Sequence, residues 1–526
     1  MPKKKIELLV IFSLLIYSIY CSIIIGPSYD EFAHYRNGEK LFNYIFSFGR
    51  REYVDTIYLY HYGLYDFLGT FFSKNFPSNY IIESHHILNL IFSSLSVFGI
   101  YQVSKKLFNK KIAKIAFLIC FINPIFFGHF SINPKDTIIA FSYIWIFYLS
   151  IKYVEKQNNL NTRINYIFYL ILLISLGLSI RLTFIFFLVP IFIVLLSEII
   201  IKRKKFNFTF TKFFFDLLLI FICSFIISIF FWPDTHTDLL KLPFKFIKNY
   251  FASFFASNFG LPFGLINGEF YQTQNTPKNY IFIFLLYKMP HYIILSLFLL
   301  PFFMISKNFS IKKFSSFKNL VYIFVQIFFP ISLVLILGTA LNDGIRYILY
   351  IIPFICIIAS ISIFHIFKLN HVFYKFLKFL FVLLFMYNFI IFLILTPYQY
   401  TFINNLNGKF SNNLNKFEND YWGTSIKELL ANAQNKNIFK KKKHYKIATC
   451  GLNSDIIKFY LNRDFDIEYN FVNSNEEYDF IVFINRVHTT TTNLDLNNPQ
   501  TCYSKFNNKN IANVIRNGLP IAFISN

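Results

Sequence analysis

Long apolar runs, about twenty residues each, recur along most of this chain and are separated by short polar connections. A helix crossing roughly 30 Å of hydrocarbon needs about 20 apolar residues. The pattern predicts spans near 6–26, 81–103, 112–130, 137–154, 164–180, 182–201, 212–232, 290–306, 319–340, 346–367 and 374–396. The fifth and sixth are short and meet at Arg181. Beyond the last run the pattern changes. "DYWGTSIKELLANAQNKN" reads as a turn and an amphipathic helix with Leu429 and Leu430 inward, and "SDIIKFYLNR" as a helix. "KKKKHYKIATCG" and "YDFIVFINRV" each contain a strand. The expected architecture is an α-helical polytopic membrane protein of about eleven transmembrane helices with a small C-terminal α/β domain. Its divisions are a membrane domain over 1–396, with long loops at 27–80 and 233–289, and a second domain over 397–526.

Composition agrees with this picture. Of 526 residues, 55% are hydrophobic and 15% charged, too little polar surface for a soluble protein of this size. The formal charge of +24 would suit nucleic acid if it formed one face. Instead the lysines fall in short runs between apolar segments: "PKKK" before the first span, "KKLFNKK" at 105–111, "KRKK" at 202–205, Lys312 and Lys313, then Lys368, Lys375 and Lys378. These mark every second connection. Placing them in the cytoplasm satisfies the positive-inside rule and leaves attraction to anionic membrane lipids as the role of the charge, with no nucleic acid partner. The N-terminus is then cytoplasmic, and eleven spans carry the C-terminal region outside. The first span lacks a small-residue cleavage site and reads as a retained helix. The six cysteines show no metal-ligand spacing; Cys450 and Cys502 could pair if their region lies outside.

This topology gathers Asp30, Glu31, Glu39, Asp55, Asp66, Asp136, Asp234, Asp238, Glu269 and Asp343 on the outer face. Two readings compete at "GPSYDEFAHYRNGEK", residues 26–40. Asp30 and Glu31 suit a helix N-terminus, which favours acids. They equally suit a general base that takes a proton from an acceptor hydroxyl, with a neighbour that orients substrate. In "INPKD", Pro134 and Asp136 suit the start of the fourth span, whereas Lys135 is a cation on the face where topology disfavours one. Arg181 in "GLSIRLTF" suits a snorkelling arginine at a helix turn. With Lys288 in "YKMPHY" and Arg346 in "NDGIRYILYIIP", four cations stand at outer helix ends, where a phosphate would be held.

The acidic pair after the first helix, the long first loop and the late "RY…P" segment resemble the GT-C glycosyltransferases. The similarity is to the branch of protein mannosyltransferases and lipid A aminoarabinose transferases. "INPKD", "NDGIRYILYIIP", "TPYQYTFINNLNG" and "ENDYWGTS" carry it over roughly residues 1–430. The resemblance implies a GT-C fold in a bacterial inner membrane. It implies transfer of a hexose or pentose from a polyprenyl-phosphate donor, with inversion, to a lipid, glycan or protein acceptor. Asp30 would be the base, and Glu31 and Asp136 would position substrates. Lys135, Arg181, Lys288, Arg346 and Tyr347 would bind the donor phosphate. The first outer loop holds no DxD motif, so this reading requires no cofactor, although acid pairs can bind a divalent metal. A lipid-linked glycan flippase or transporter, and a glycan ligase or polymerase, are the alternatives. Transporters place ionisable groups at mid-membrane, where these spans are nearly free of them.

Overall fold

The computed structural model describes all residues except 1–2, 52, 54–62, 158, 203–208, 237–243, 245–261, 306–313, 441–442, 489–498 and 508. Asp55, Asp238, Lys312, Lys313 and most of "KRKK" lie outside the described residues. So does the "TTTTN" stretch at 489–493, read from sequence as a low-complexity loop.

The helices of the first half are α1 (Lys3–Ile24), α2 (Tyr29–Phe46), α3 (Leu64–Ser73), α4 (Ile81–Leu107), α5 (Lys110–Phe121), α6 (Pro124–Gly128), α7 (Asp136–Glu155), α8 (Leu160–Ile180), α9 (Phe184–Phe187), α10 (Val189–Lys202) and α11 (Phe210–Phe230). A hairpin of β1 (Phe263–Ile266) and β2 (Glu269–Gln272) follows. Its Asn267–Gly268 turn has positive φ at both residues, the backbone that an Asn-Gly pair favours. Then come α12 (Tyr280–Lys288), α13 (His291–Ile305), α14 (Phe314–Leu337), α15 (Ile352–Lys368) and α16 (Val372–Ile394).

Among the described residues nine helices are long and apolar enough to cross a membrane, and the bent pair α12–α13 makes a tenth. The remaining expected span, 112–130, third along the chain, is broken. Asn123 accepts hydrogen bonds from the N–H groups of Ile125 and Phe126, and Pro124 follows it, so α5 stops and α6 starts anew. α7 and α15 are the central helices, with 78% and 89% of their apolar windows buried, whereas α1 and α16 are peripheral.

The two ends of the bundle differ. At one end Lys106, Glu155, Lys202, Glu198 and Lys318 form a continuous chain of ion pairs across α4, α7, α10 and α14. Asp216 pairs there with Arg163 at 3.4 Å and accepts from Tyr153 at 2.6 Å. At the other end α2 and α3 lie together. Gly38 of α2 is where they touch: a Cβ there would run into the Asp66 carbonyl and the Thr70 hydroxyl. Gly38→Ala is therefore expected to push α2 away from α3 and lower the melting temperature by several degrees, measured by thermal unfolding in detergent.

The C-terminal residues form α17 (Ile426–Asn435), β3 (His444–Cys450), α18 (Ser454–Asp464), β4 (Glu468–Phe471), β5 (Phe480–Ile484), β6 (Val487–His488), β7 (Gln500–Thr501), α19 (Cys502–Phe506), β8 (Asn510–Arg516) and β9 (Leu519–Ser525). Five strands make a mixed sheet in the order β4-β3-β5-β9-β8. β3 runs parallel to β4 and β5, and β9 antiparallel to β5 and β8. Leu429 and Leu430 are buried, as their spacing predicts.

The C-terminal region docks on α2 through α18 and the segment that precedes α17. Phe32 meets Phe459 edge-on, and Arg36 pairs with Asp455 at 3.0 Å. Gly26 and Tyr29 donate N–H bonds to the carbonyls of Thr424 and Trp422 at 3.0 and 3.1 Å. A Cβ at Gly26 would stand 2.6 Å from the Thr424 oxygen, so the close approach requires glycine. Cys450 and Cys502 form a disulfide spanning 52 residues. By the loop-entropy relation, Cys450→Ser with Cys502→Ser is expected to cost about 4 kcal/mol, measured as a lower denaturation midpoint for the sheet.

Candidate active site

The stretch "GPSYDE" builds the first wall. Glu31 reaches back to the Ser28 N–H at 2.7 Å and so caps α2, and its other oxygen pairs with His86 at 3.0 Å. The Ser28 hydroxyl donates to the Ile132 carbonyl at 3.0 Å, tying α2 to the turn before α7. The two acids thus separate: Glu31 is turned into the protein, whereas Asp30 faces cations. Lys135 lies 3.3 Å from one Asp30 oxygen and Arg346 3.3 Å from the other.

"INPKD" builds the second wall. The Asn133 side-chain oxygen accepts from the N–H groups of Lys135 and Asp136 at 3.2 and 2.9 Å, a local turn that asparagine favours. This turn sends Lys135 to Asp30 and Asp136 to Arg181, which pair at 2.8 Å. Asp136 also accepts from the Asn133 amide at 3.0 Å.

"NDGIRY" is the third. Asp343, at a positive φ of 54°, accepts from Arg346 at 2.8 Å. Tyr347 stands between two guanidinium groups: Arg181 and Arg346 each lie 4.9 Å from its ring centroid. Arg346 is 7% exposed, and its Nε–H is buried without a hydrogen-bond partner among the described residues. Its Nη1 also reaches the Tyr421 hydroxyl at 3.4 Å.

The fourth wall comes from the C-terminal residues. Arg486, just after β5, donates to Asp343, stacks 3.9 Å above the Trp422 ring and lies 3.7 Å from Glu418. The Trp422 indole N–H donates to Asp343 at 3.1 Å. Lys135, Asp30, Arg346, Asp343, Arg486 and Glu418 therefore form one alternating chain of ion pairs, with the Arg181–Asp136 pair beside it at the Tyr347 ring. Burial alone would raise the Asp30 carboxyl. Lys135, Arg346 and His34 outweigh it and hold Asp30 well below the usual carboxylate range. Burial pushes Glu418 up despite Arg486, and Asp343 adds to the rise.

Seven of the eight residues singled out from sequence are accounted for by these walls. Asp30, Asp136, Lys135, Arg181, Arg346 and Tyr347 converge; Glu31 is adjacent but turned away. Lys288 instead donates to the Tyr400 carbonyl at 2.9 Å and is not among the cations that pair with Asp30 or Asp136. Sequence reasoning missed Asp343 as an anchor, and also Trp422, Arg486 and the pair His34–Asp66. In that pair His34 Nδ1 lies 2.6 Å from Asp66, one turn along α2 from Asp30. Trp422 lies inside the quoted "ENDYWGTS". Arg486, a lone cation closing the apolar run "FIVFIN", was the available signal for the last.

Residues 79–231 match the family described as dolichyl-phosphate-mannose-protein mannosyltransferase. The fold over the whole chain is that of ArnT from Cupriavidus metallidurans, solved bound to undecaprenyl phosphate. That likeness has a TM-score of 0.51 and 11% identity, and covers 100% of this chain and 98% of that one. The apo form of the same protein gives a TM-score of 0.50 at 10% identity, with the same coverage. The Archaeoglobus fulgidus oligosaccharyltransferase in its apo form is more distant, with a TM-score of 0.45 at 12% identity over 83% of this chain and 62% of that one. No curated protein matches the chain. The likeness to GT-C glycosyltransferases read from the sequence is borne out, and the chain is a multi-pass membrane protein with the GT-C fold.

Proposed function

We propose that the protein is an integral-membrane glycosyltransferase that moves a sugar from a polyprenyl-phosphate donor to an acceptor hydroxyl, with inversion, on the extracytoplasmic face of a bacterial inner membrane. The observation that carries this reading is the meeting of Asp30 with Lys135 and Arg346 at one end of the helical bundle, beside the Arg181–Asp136 pair. The acceptor oxygen attacks the anomeric carbon as the bond from that carbon to the phosphate oxygen breaks. The phosphate leaves with the electron pair, and the acceptor proton passes to Asp30.

In the structure Asp30 is a weak base, because two cations hold its charge. A donor phosphate entering between Lys135 and Arg346 competes with Asp30 for both. Donor binding then releases Asp30 and raises its basicity when a proton must be taken. The same cations stabilise the departing phosphate.

Asp136 positions Arg181, and Glu31 positions α2. Residues 1–396 form the membrane-embedded catalytic domain, and 397–526 form an extracytoplasmic domain. Two features support this orientation: basic residues at the far end of the bundle, and a Cys450–Cys502 disulfide, which persists in oxidising compartments. Ionisable groups gathered at the two ends, such as the Glu155–Glu198 network, fit interfacial chemistry better than a translocation path.

The test is reconstitution in nanodiscs with radiolabelled undecaprenyl-phosphate sugars. Wild-type protein is expected to bind one of them and release or transfer its sugar slowly. Failure of every donor, and of undecaprenyl phosphate itself, to bind would end this reading.

A further inference from the structure

The residue that stands behind the phosphate-binding arginine comes from the opposite end of the sequence. Arg486 follows β5 and is 3% exposed, and its carbonyl accepts from the Cys502 N–H at 2.8 Å, beside the disulfide. Its guanidinium does not touch Arg346. Both hold the same carboxylate: Asp343 receives Arg346 on one oxygen, at 2.8 Å, and Arg486 on the other, while the Trp422 indole shares the Arg346 oxygen at 3.1 Å.

Asp343 matters because Arg346 is asked to do two things. Its Nη2 is committed to Asp343, and its Nη1 faces Asp30, the group that an incoming phosphate would displace. A carboxylate with Arg346 as its only cation would draw the whole guanidinium and compete with an incoming phosphate. With Arg486 and Trp422 sharing its charge, Asp343 fixes one edge of Arg346 and leaves the other available.

We propose that Arg486 is a positioning residue for the donor site, neutralising Asp343 so that Arg346 can engage the phosphate of a polyprenyl-phosphate ligand. This rests on the reading of Arg346 as a phosphate ligand. It gives the C-terminal sheet a part in donor binding.

The experiment uses the full-length protein in nanodiscs and undecaprenyl phosphate as the probe, with binding followed by tryptophan emission and checked by calorimetry. Arg486→Gln is expected to raise Kd at least tenfold, and Arg486→Lys less than threefold. The double variant Arg486→Gln/Asp343→Asn is expected to return to within threefold of wild type, because the competing carboxylate is gone. A merely structural role predicts instead that the second substitution adds to the damage. Lys427→Gln, which removes a docking contact of α17 with Glu83 at 3.0 Å, controls for loosened docking and is expected to bind like wild type.

If Arg486→Gln binds as wild type does, or if the double variant is no better than the single one, the proposal is overturned. A loss in Lys427→Gln equal to that in Arg486→Gln overturns it too. If wild type itself does not bind the probe, the phosphate reading fails first, and that outcome is distinguishable from the others.

Discussion

Asp30→Asn is expected to bind a polyprenyl-phosphate sugar at least as tightly as wild type and to transfer it about 10²- to 10⁴-fold more slowly. Both halves follow from one geometry. The carboxylate occupies Lys135 and Arg346, each at 3.3 Å, so removing its charge removes a competitor for the phosphate. The same change removes the group that takes the acceptor proton. A loss of binding with unchanged turnover would assign Asp30 to substrate anchoring instead.

A pH signature accompanies this expectation. In free protein the cations hold the Asp30 carboxyl well below its ordinary value. Its ionised form, and the stability its ion pairs contribute, are therefore retained at neutral pH and lost only as pH falls through that depressed value. Once the phosphate has taken the two cations, the carboxyl moves back up. The acid limb of kcat, which reports the bound state, should lie at higher pH than that of kcat/KM for donor, which reports the free enzyme. Coincident limbs would mean that the phosphate does not displace the Asp30 pairs.

Much of this was legible in the chain, for physical reasons that differ from place to place. Span periodicity fixes the bundle because a helix in lipid must be apolar over its whole length. Residues 112–130 show the limit: Asn123–Pro124 breaks the helix inside an apolar run, and hydropathy does not register a break made by hydrogen bonding. The Asn-Gly turn of the β1–β2 hairpin was equally readable, yet it sits in a loop otherwise treated as one long segment.

At the site, charges beside predicted span ends were legible and those supplied by the C-terminal region were not. Asp30 and Lys135 stand next to helix starts, where a charge has few other duties. Glu31 looks identical to Asp30 in sequence, and only the Ser28 cap and His86 distinguish it. Arg486 lies 140 residues beyond Arg346. Nothing local marks it apart from a cation ending an apolar strand, because its role is set by the docking of the C-terminal region on the helical bundle.

The second large effect is expected at Arg346, and its two consequences can be separated. Arg346→Ala should weaken undecaprenyl phosphate binding by roughly 100-fold or more, since the phosphate loses its central partner and Tyr347 loses one of its two flanking cations. The substitution also leaves Asp343 and Asp30 short of a counterion in a buried site, a change that costs about 3–5 kcal/mol when one partner of a buried pair is removed. Loss of binding alone would therefore be open to the objection that the protein is unfolded. Arg346→Ala/Asp343→Asn answers it. The second substitution removes the orphaned carboxylate and should recover much of the melting temperature while restoring no phosphate binding. Arg346→Lys keeps the charge without the planar fork, and it should bind between the two, because a lysine cannot hold Asp343 with one edge and a phosphate with the other. Recovery of binding in the double variant would show that Arg346 serves only to neutralise Asp343, and the phosphate would then have to be assigned to Lys135 and Arg181.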